Sequence, residues 1–115
     1  MDARLYWFKR IEGTVKSMDI SRACEALKLK RRLELRYSGR DRAVEVHAAG
    51  FTKEGKPLMR VWQVRGQSAS GDTSGWKLFR LDEISTANLL EEASEAPRPG
   101  YHRGDPAMTR IVCEI

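Results

Sequence analysis

The spacing of apolar residues changes once along the 115-residue chain, near residue 32. Before this point apolar residues recur every three or four positions, which is the period of one face of an α-helix. After it they alternate with charged residues, as in Leu33, Leu35 and Tyr37, which is the period of a half-buried strand. The pattern predicts a mainly β (α+β) protein with a helical N-terminal part.

Two stretches precede the strands. Residues 1–18 form an N-terminal extension with a helix-compatible apolar stripe that Gly13 interrupts. Four bulky side chains lie near its start: Leu5, Tyr6, Trp7 and Phe8. The extension is a helix or a short strand that either covers the sheet or forms a docking or dimer interface. A second helix is predicted to begin after Asp19, a favourable N-cap, and to end near residue 31.

Five strands are predicted, at residues 33–37, 42–48, 57–65, 76–80 and 86–90. Turn-forming pairs such as Ser38-Gly39 and Glu54-Gly55 separate consecutive strands, which favours an antiparallel meander. We expect residues 19–92 to close into a small five-stranded barrel. In the tail at residues 93–115, the apolar residues 111–115 add a possible edge strand.

The size and charge of the chain narrow its function classes. The length fits one domain, and no signal peptide or apolar run of the about 20 residues needed to cross a bilayer is present, so we expect a cytoplasmic protein without membrane contact. Residues 1–65 hold 16 Lys/Arg against 8 Asp/Glu, whereas residues 66–115 hold 5 against 8. The basic half favours polyanions as partners, although basic residues also suit the last turn of any helix.

Catalytic and metal chemistry find little support. The two histidines, His47 and His102, have no spacing that pairs a base with a nucleophile. An acidic run at residues 91–95 is more typical of a solvated edge than of a metal or general-acid cluster. Cys24 and Cys113 lack zinc-site spacing, and we expect two buried free thiols. The sequence therefore predicts a non-enzymatic protein without a cofactor or metal.

Anion binding has better support. Basic residues from different strands are candidates for one binding face: Arg36, Arg42, Arg60, Lys77 and Arg80. Guanidinium groups match phosphate oxygens. Strand alternation places Arg60 and Trp62 on the same face, where a cation and a ring suit the phosphate and the base of a single-stranded nucleic acid. Alternatively, Trp62 belongs to the core.

The order of motifs in residues 33–84 resembles the WYL domain family, and the similarity extends roughly over residues 19–92. The segment LELRY ending at Tyr37 is similar to the family's I-x-Y strand, RAVEV starting at Arg42 to R-x-V-E-P, and WKLFRLDEI to R-x-F-R-L-D-R-I. Lys77 and Glu83 stand in place of two arginines, and PLM stands in place of the name-giving tripeptide. The chain thus resembles a short, divergent, stand-alone member.

The resemblance implies a small Sm-like or SH3-like barrel that presents basic residues to a nucleic-acid or nucleotide ligand. The family positions carried over are Tyr37, Arg42, Lys77 and Arg80. Glu83 would repel phosphate unless it pairs with Lys77 or Arg80.

Taken together, we expect a non-catalytic ligand-sensing or accessory module, in bacterial regulation or defence, that binds single-stranded nucleic acid or an oligonucleotide. One alternative is a protein-interaction scaffold or homodimer that acts through a partner. Another is a minimal transcription regulator with a helix-turn-helix, although residues 1–32 are too short for the winged helix of most family members.

Overall fold

One helix and six strands make up the part of the chain that the computed structural model describes, namely residues 18–67, 71 and 73–115. In chain order the elements are α1 (Ile20–Leu29), β1 (Arg31–Tyr37), β2 (Arg40–Phe51), β3 (Pro57–Gly66), β4 (Gly75–Arg80), a 3₁₀ turn (Leu81–Glu83), β5 (Ile84–Ala93) and β6 (Arg110–Glu114). The predicted interface at Leu5, Tyr6, Trp7 and Phe8 lies outside the described residues. No helix within the described ranges is long and apolar enough to cross a membrane.

The predicted helix is confirmed, and its two ends have clear local causes. Asp19 is the N-cap, and its carboxylate accepts a hydrogen bond of 3.0 Å from the backbone N–H of Ser21. Lys30 ends the helix in the left-handed conformation, with φ of 56°, and its N–H donates to the carbonyl of Leu27. The next residue already belongs to β1, so the helix leads directly into the sheet.

The strands form one antiparallel sheet in the order β4-β3-β2-β1-β5. Ser38 and Gly39, with φ of 53° and 71°, make the two-residue turn between β1 and β2. β2 is long enough to pair with β1 through its first half and with β6 through its second half. The predicted edge strand in the tail is therefore confirmed as β6, and the tail belongs to the same sheet as the predicted barrel domain.

The sheet is curled, but its pairings leave it open. β4 and β5 are the end strands of the five-strand order, and only the three-residue turn Leu81–Glu83 joins them. Five flat strands would hold the end strands about 19 Å apart, so this short connection requires curvature. No ladder pairs β4 with β5 within the described ranges, and β6 adds a sixth strand. The closed five-stranded barrel that the sequence predicts is thus replaced by an open six-stranded sheet.

Two apolar clusters lie on opposite faces of this sheet. The larger cluster lies between the sheet and α1 and includes Ala23, Ala26, Leu33, Leu35, Val44, Val46, Met59 and Val61. On the other face, residues 94–109, the C-terminal segment, cover the sheet, and Met108 packs with Ala48 and Leu58. Because Leu58 and Met59 are neighbours on β3 that point to opposite sides, the strand is buried on both faces.

A disulfide joins Cys24 of α1 to Cys113 of β6, so the expectation of two free thiols is wrong. The two residues are 89 positions apart in sequence. Pairing of β6 with β2 brings their Cα atoms to 5.8 Å, within the range that a disulfide needs. Sequence spacing alone does not reveal this proximity, because it depends on a long-range strand pairing.

Candidate ligand-binding site

Arg42 is the predicted site residue with the most unusual surroundings. It is only 4% exposed, and its guanidinium has no carboxylate partner within the described ranges. The Nη atoms donate to the Oε1 of Gln63 and to the carbonyl of Tyr37, both at 3.3 Å. The buried Nε has no hydrogen-bond partner there. Burial, and then the nearby charge of Arg40, lower the pKa of Arg42. The site therefore contains a buried positive charge for which residues 18–67, 71 and 73–115 provide no counter-charge.

The register of the first hairpin explains why Arg42 points inward. Tyr37 pairs with Arg40 across the two-residue turn, so Leu35 pairs with Arg42. Directly opposed residues of an antiparallel pair point to the same face, and Leu35 belongs to the larger core cluster. Arg42 is consequently held at the edge of the apolar interior rather than in solvent.

Two aromatic rings lie beside this guanidinium. Tyr37 stacks on Phe79 with 4.3 Å between ring centroids. The Cζ of Arg42 is 5.4 Å from the centroid of Tyr37 and 5.1 Å from that of Phe79. Both distances are within cation–π range. The Tyr37 hydroxyl donates to Glu83 at 3.1 Å; burial and then this carboxylate raise the pKa of Tyr37. Phe79 is buried and Tyr37 is partly exposed, so the two rings connect the guanidinium to the surface.

Gln63 connects Arg42 to the ends of the loop between β3 and β4. This amide is fully buried; its oxygen accepts from Arg42, and its nitrogen donates to the carbonyls of Gln67 and Thr73 at 3.4 and 3.1 Å. We name Arg42, Tyr37, Gln63 and Phe79 the Arg42 site.

The other predicted cations are engaged elsewhere. Arg36 pairs with Asp41 at 2.8 Å. Arg80 forms a two-bond pair with Asp82 at 2.9 and 2.7 Å, which raises the pKa of Arg80. Of the two partners open to Glu83, Arg80 lies 3.7 Å from its carboxylate. Lys77 lies on β4 opposite Val61 and has an interaction partner as well. Arg80 nevertheless lies next to the Arg42 site, because Glu83 pairs with Arg80 and also accepts from the Tyr37 hydroxyl.

Arg60 and Trp62 lie on the opposite face, under the C-terminal segment. Arg60 donates from Nε and Nη2 to Asp105 at 2.7 and 3.2 Å. Trp62 meets the ring of Trp76 edge-on, with centroids 5.3 Å apart, and the guanidinium of Arg98 lies 5.5 Å from its centroid. The predicted common face of Arg60 and Trp62 is present, but the C-terminal segment covers it.

Glu45 is the centre of a buried ion-pair cluster and was not among the predicted site residues. Its side chain is inaccessible and accepts from Arg98 at 2.7 and 3.2 Å, from Arg32 at 2.9 Å and from the backbone N–H of Glu95 at 2.9 Å. Burial alone would raise the pKa of Glu45, but these hydrogen bonds outweigh it and lower the pKa. The alternating charge of β2 gives no hint of this, because Arg98 comes from an irregular segment.

His47 lies beside this cluster and is also fully buried. Its Nδ1 is 3.0 Å from the carbonyl of Glu45, and its Nε2 accepts from the backbone N–H of Arg98 at 3.0 Å. This arrangement requires a neutral ring with the proton on Nδ1, and burial lowers the pKa of His47 accordingly. Both ring nitrogens are used for structure, so His47 is not a candidate base.

The described part of the chain contains no group of three or more His, Cys, Asp or Glu side chains arranged to hold a metal ion. The chain matches no family model, and the comparisons with curated proteins and with solved structures gave no match. The Arg42 site is therefore defined by its own geometry: a buried guanidinium, without a carboxylate partner in the described part of the chain, beside two stacked rings.

Proposed function

We propose that this protein is a non-catalytic module that binds single-stranded nucleic acid or a nucleotide, with a phosphate at Arg42 and a base against Tyr37. The observation that carries the proposal is the burial of the Arg42 guanidinium without a carboxylate partner in the described ranges. An unpaired buried charge is costly, and an anionic ligand would remove that cost.

The neutral acceptors that Arg42 now contacts are weaker partners for a guanidinium than a charged acceptor would be. Its two present acceptors are a neutral amide and a neutral carbonyl, each at 3.3 Å. Hydrogen bonds between a guanidinium and an anionic oxygen are shorter and about twice as strong. A phosphate that displaces the Gln63 amide would therefore gain more than the protein loses.

The neighbouring rings favour a nucleotide over a simple anion. A partly exposed aromatic ring next to a cation is the combination with which proteins bind unpaired bases and their phosphates. Tyr37 and Arg42 are also two of the positions at which the sequence resembles the WYL family, whose Sm-like or SH3-like barrels are associated with such ligands. In this protein such a ligand would bind to a curled, open sheet instead of a closed barrel.

The proposal is tested by fluorescence anisotropy with a labelled single-stranded 20-mer and the matching duplex at about 50 mM salt. We expect tighter binding of the single strand, because only unpaired bases can stack on Tyr37. Arg42→Gln should weaken this binding at least about tenfold through loss of the charged contact. Its free energy of unfolding should stay within about 1 kcal/mol of wild type, because the removed charge has no carboxylate partner among the described residues.

The matched control is Arg65→Gln, which removes an exposed arginine of β3 that pairs with Glu92. This variant should bind almost as wild type. Tighter duplex binding would favour the helix-turn-helix alternative, and no binding at low salt would favour the interaction scaffold. A strongly destabilised Arg42→Gln variant would show that Arg42 has a structural role instead.

A further inference from the structure

A pocket of about 340 Å³ lies on the face of the sheet opposite the Arg42 site. Its walls come from β3, β4 and the C-terminal segment, and the residues that matter are Arg60, Trp76, Gly100, Tyr101, His102 and Asp105. None of them belongs to the Arg42 site. This volume falls at the lower end of the range that small-molecule sites occupy.

The aromatic wall of this pocket is held in place from behind. Trp76 and Tyr101 lie with their ring planes 29° apart and their centroids at 6.4 Å. Trp62 meets Trp76 edge-on, and the buried ring of His47 packs against it at 4.7 Å. Gly100, whose φ of +92° favours glycine, lies against the indole, since the position of a Cβ there is 3.4 Å from the Trp76 Nε1, which is van der Waals contact. The wall is thus a preformed surface for a flat ring.

The polar wall offers hydrogen-bond donors. Asp105 is almost fully buried, and its carboxylate accepts from Arg60 and from the backbone N–H of Ala107; the bond from Arg60 lowers the pKa of Asp105. A guanidinium carries five N–H groups, and Arg60 uses two of them for Asp105. The side chain of Arg60 is 29% exposed, so its remaining donors are accessible to a ligand.

We infer that this pocket binds a small planar aromatic ligand that carries one carboxylate. The ring would lie against Trp76 and Tyr101, and the carboxylate would accept from the spare N–H groups of Arg60. The pairing with Asp105 cancels the charge of Arg60, and the Asp105 carboxylate would repel a doubly charged phosphate more strongly than a singly charged carboxylate. A monoanionic acid is therefore the ligand class that best fits.

The test is titration of the ¹⁵N-labelled protein with indole-3-acetate, followed by ¹H–¹⁵N NMR, with the neutral indole-3-ethanol as the matched compound. For a ligand of this size we expect saturable shifts that include the Trp76 indole N–H, with a Kd on the order of 1 mM. The neutral compound should bind about tenfold more weakly, because it lacks the charge-assisted contact. Non-saturating shifts, or equal affinity for both compounds, would overturn the proposal.

Arg60→Lys keeps a positive charge opposite Asp105 but replaces the planar fork of five N–H donors by an ammonium with three, so it should weaken binding of indole-3-acetate about fivefold to tenfold. Arg65→Lys makes the same change on the same strand at a pair outside the pocket and should have no effect. Equal effects of the two substitutions would contradict the assignment. The comparison of the two compounds uses only wild-type protein, so it remains decisive if Arg60→Lys does not fold.

Discussion

Glu45 is a single residue on which the attachment of the C-terminal segment depends. Replacement by Gln keeps its size but removes the buried carboxylate, so that Arg98 and Arg32 keep only the exposed Glu95, 3.5 Å from each, as a charged acceptor. We expect Glu45→Gln to lower the free energy of unfolding by about 3–5 kcal/mol, measured by urea denaturation at pH 7. Glu91→Gln removes a fully exposed carboxylate 3.9 Å from Arg31 and should leave the urea midpoint almost unchanged. Similar losses in both variants would contradict the cluster's role.

The free energy of unfolding is expected to fall in two separate pH ranges, one set by His47 and the other by Glu45. The pKa of His47 is lowered on folding, so below its ordinary value of 6.5 the unfolded chain binds more protons and stability falls. The pKa of Glu45 is also lowered, so its contribution is present above the ordinary 4.5 and is lost as pH falls through the folded value. In urea denaturation series, His47→Gln should flatten the decline between about pH 6.5 and 5. An unchanged slope would show that another group titrates there.

The inward direction of Arg42 was predictable from the sequence, whereas the partner of Arg60 was not. The Ser38-Gly39 turn pairs residue 37 with 40, and counting back places Arg42 opposite Leu35 on the core face. Asp105, by contrast, lies 45 residues after Arg60 in a segment without regular periodicity. The turn and the strand pairing place Arg42 opposite Leu35, whereas the contact of Arg60 with Asp105 depends on the fold of the whole chain.

At the scale of elements, the disulfide fixes α1 to β6 and thereby closes a loop of most of the described chain. We expect reduction, or Cys24→Ser with Cys113→Ser, to lower the free energy of unfolding by about 2–5 kcal/mol. Thermal unfolding with and without a thiol reductant measures this, and the double variant should not respond to the reductant. Two reactive thiols in the native, unreduced protein would contradict the bond. Because disulfides are typical of oxidising compartments, a cytoplasmic location stays a prediction.

The strands show which parts of an element are encoded locally. Alternation and turn residues predicted β1 to β5 with ends within a few residues of those observed. The same rules did not predict that β2 pairs with β1 in its first half and with β6 in its second half. The sequence of a strand does not indicate which distant strand it pairs with. Gly50 makes that exchange possible: a Cβ there would overlap the carbonyl oxygen of Arg110.

At the scale of the whole molecule, the count of 21 Lys and Arg residues overstates the number of cations available for a polyanion. Within the described ranges, many arginines pair with carboxylates, whereas Arg40, Arg42 and Arg110 have no such partner there. If Arg40 and Arg42, which lie on the same strand, contact phosphates, a plot of log affinity for a single strand against log salt concentration should have a slope of about −1.4. Anisotropy titrations between about 50 and 300 mM NaCl measure this slope. A slope steeper than about −4 would indicate a broad basic surface instead.

The dependence of Glu45 on Arg98 also sets an order of events during synthesis on the ribosome. A nascent chain that has emerged only to residue 93 contains β1 to β5 and Glu45, but it lacks Arg98, the backbone N–H of Glu95 and β6. Burying Glu45 at that stage would leave it only partly neutralised, so the five-strand intermediate should keep this face of β2 hydrated. The sheet should therefore reach its native packing after translation of the C-terminal segment, and until then a chaperone has an accessible face to hold.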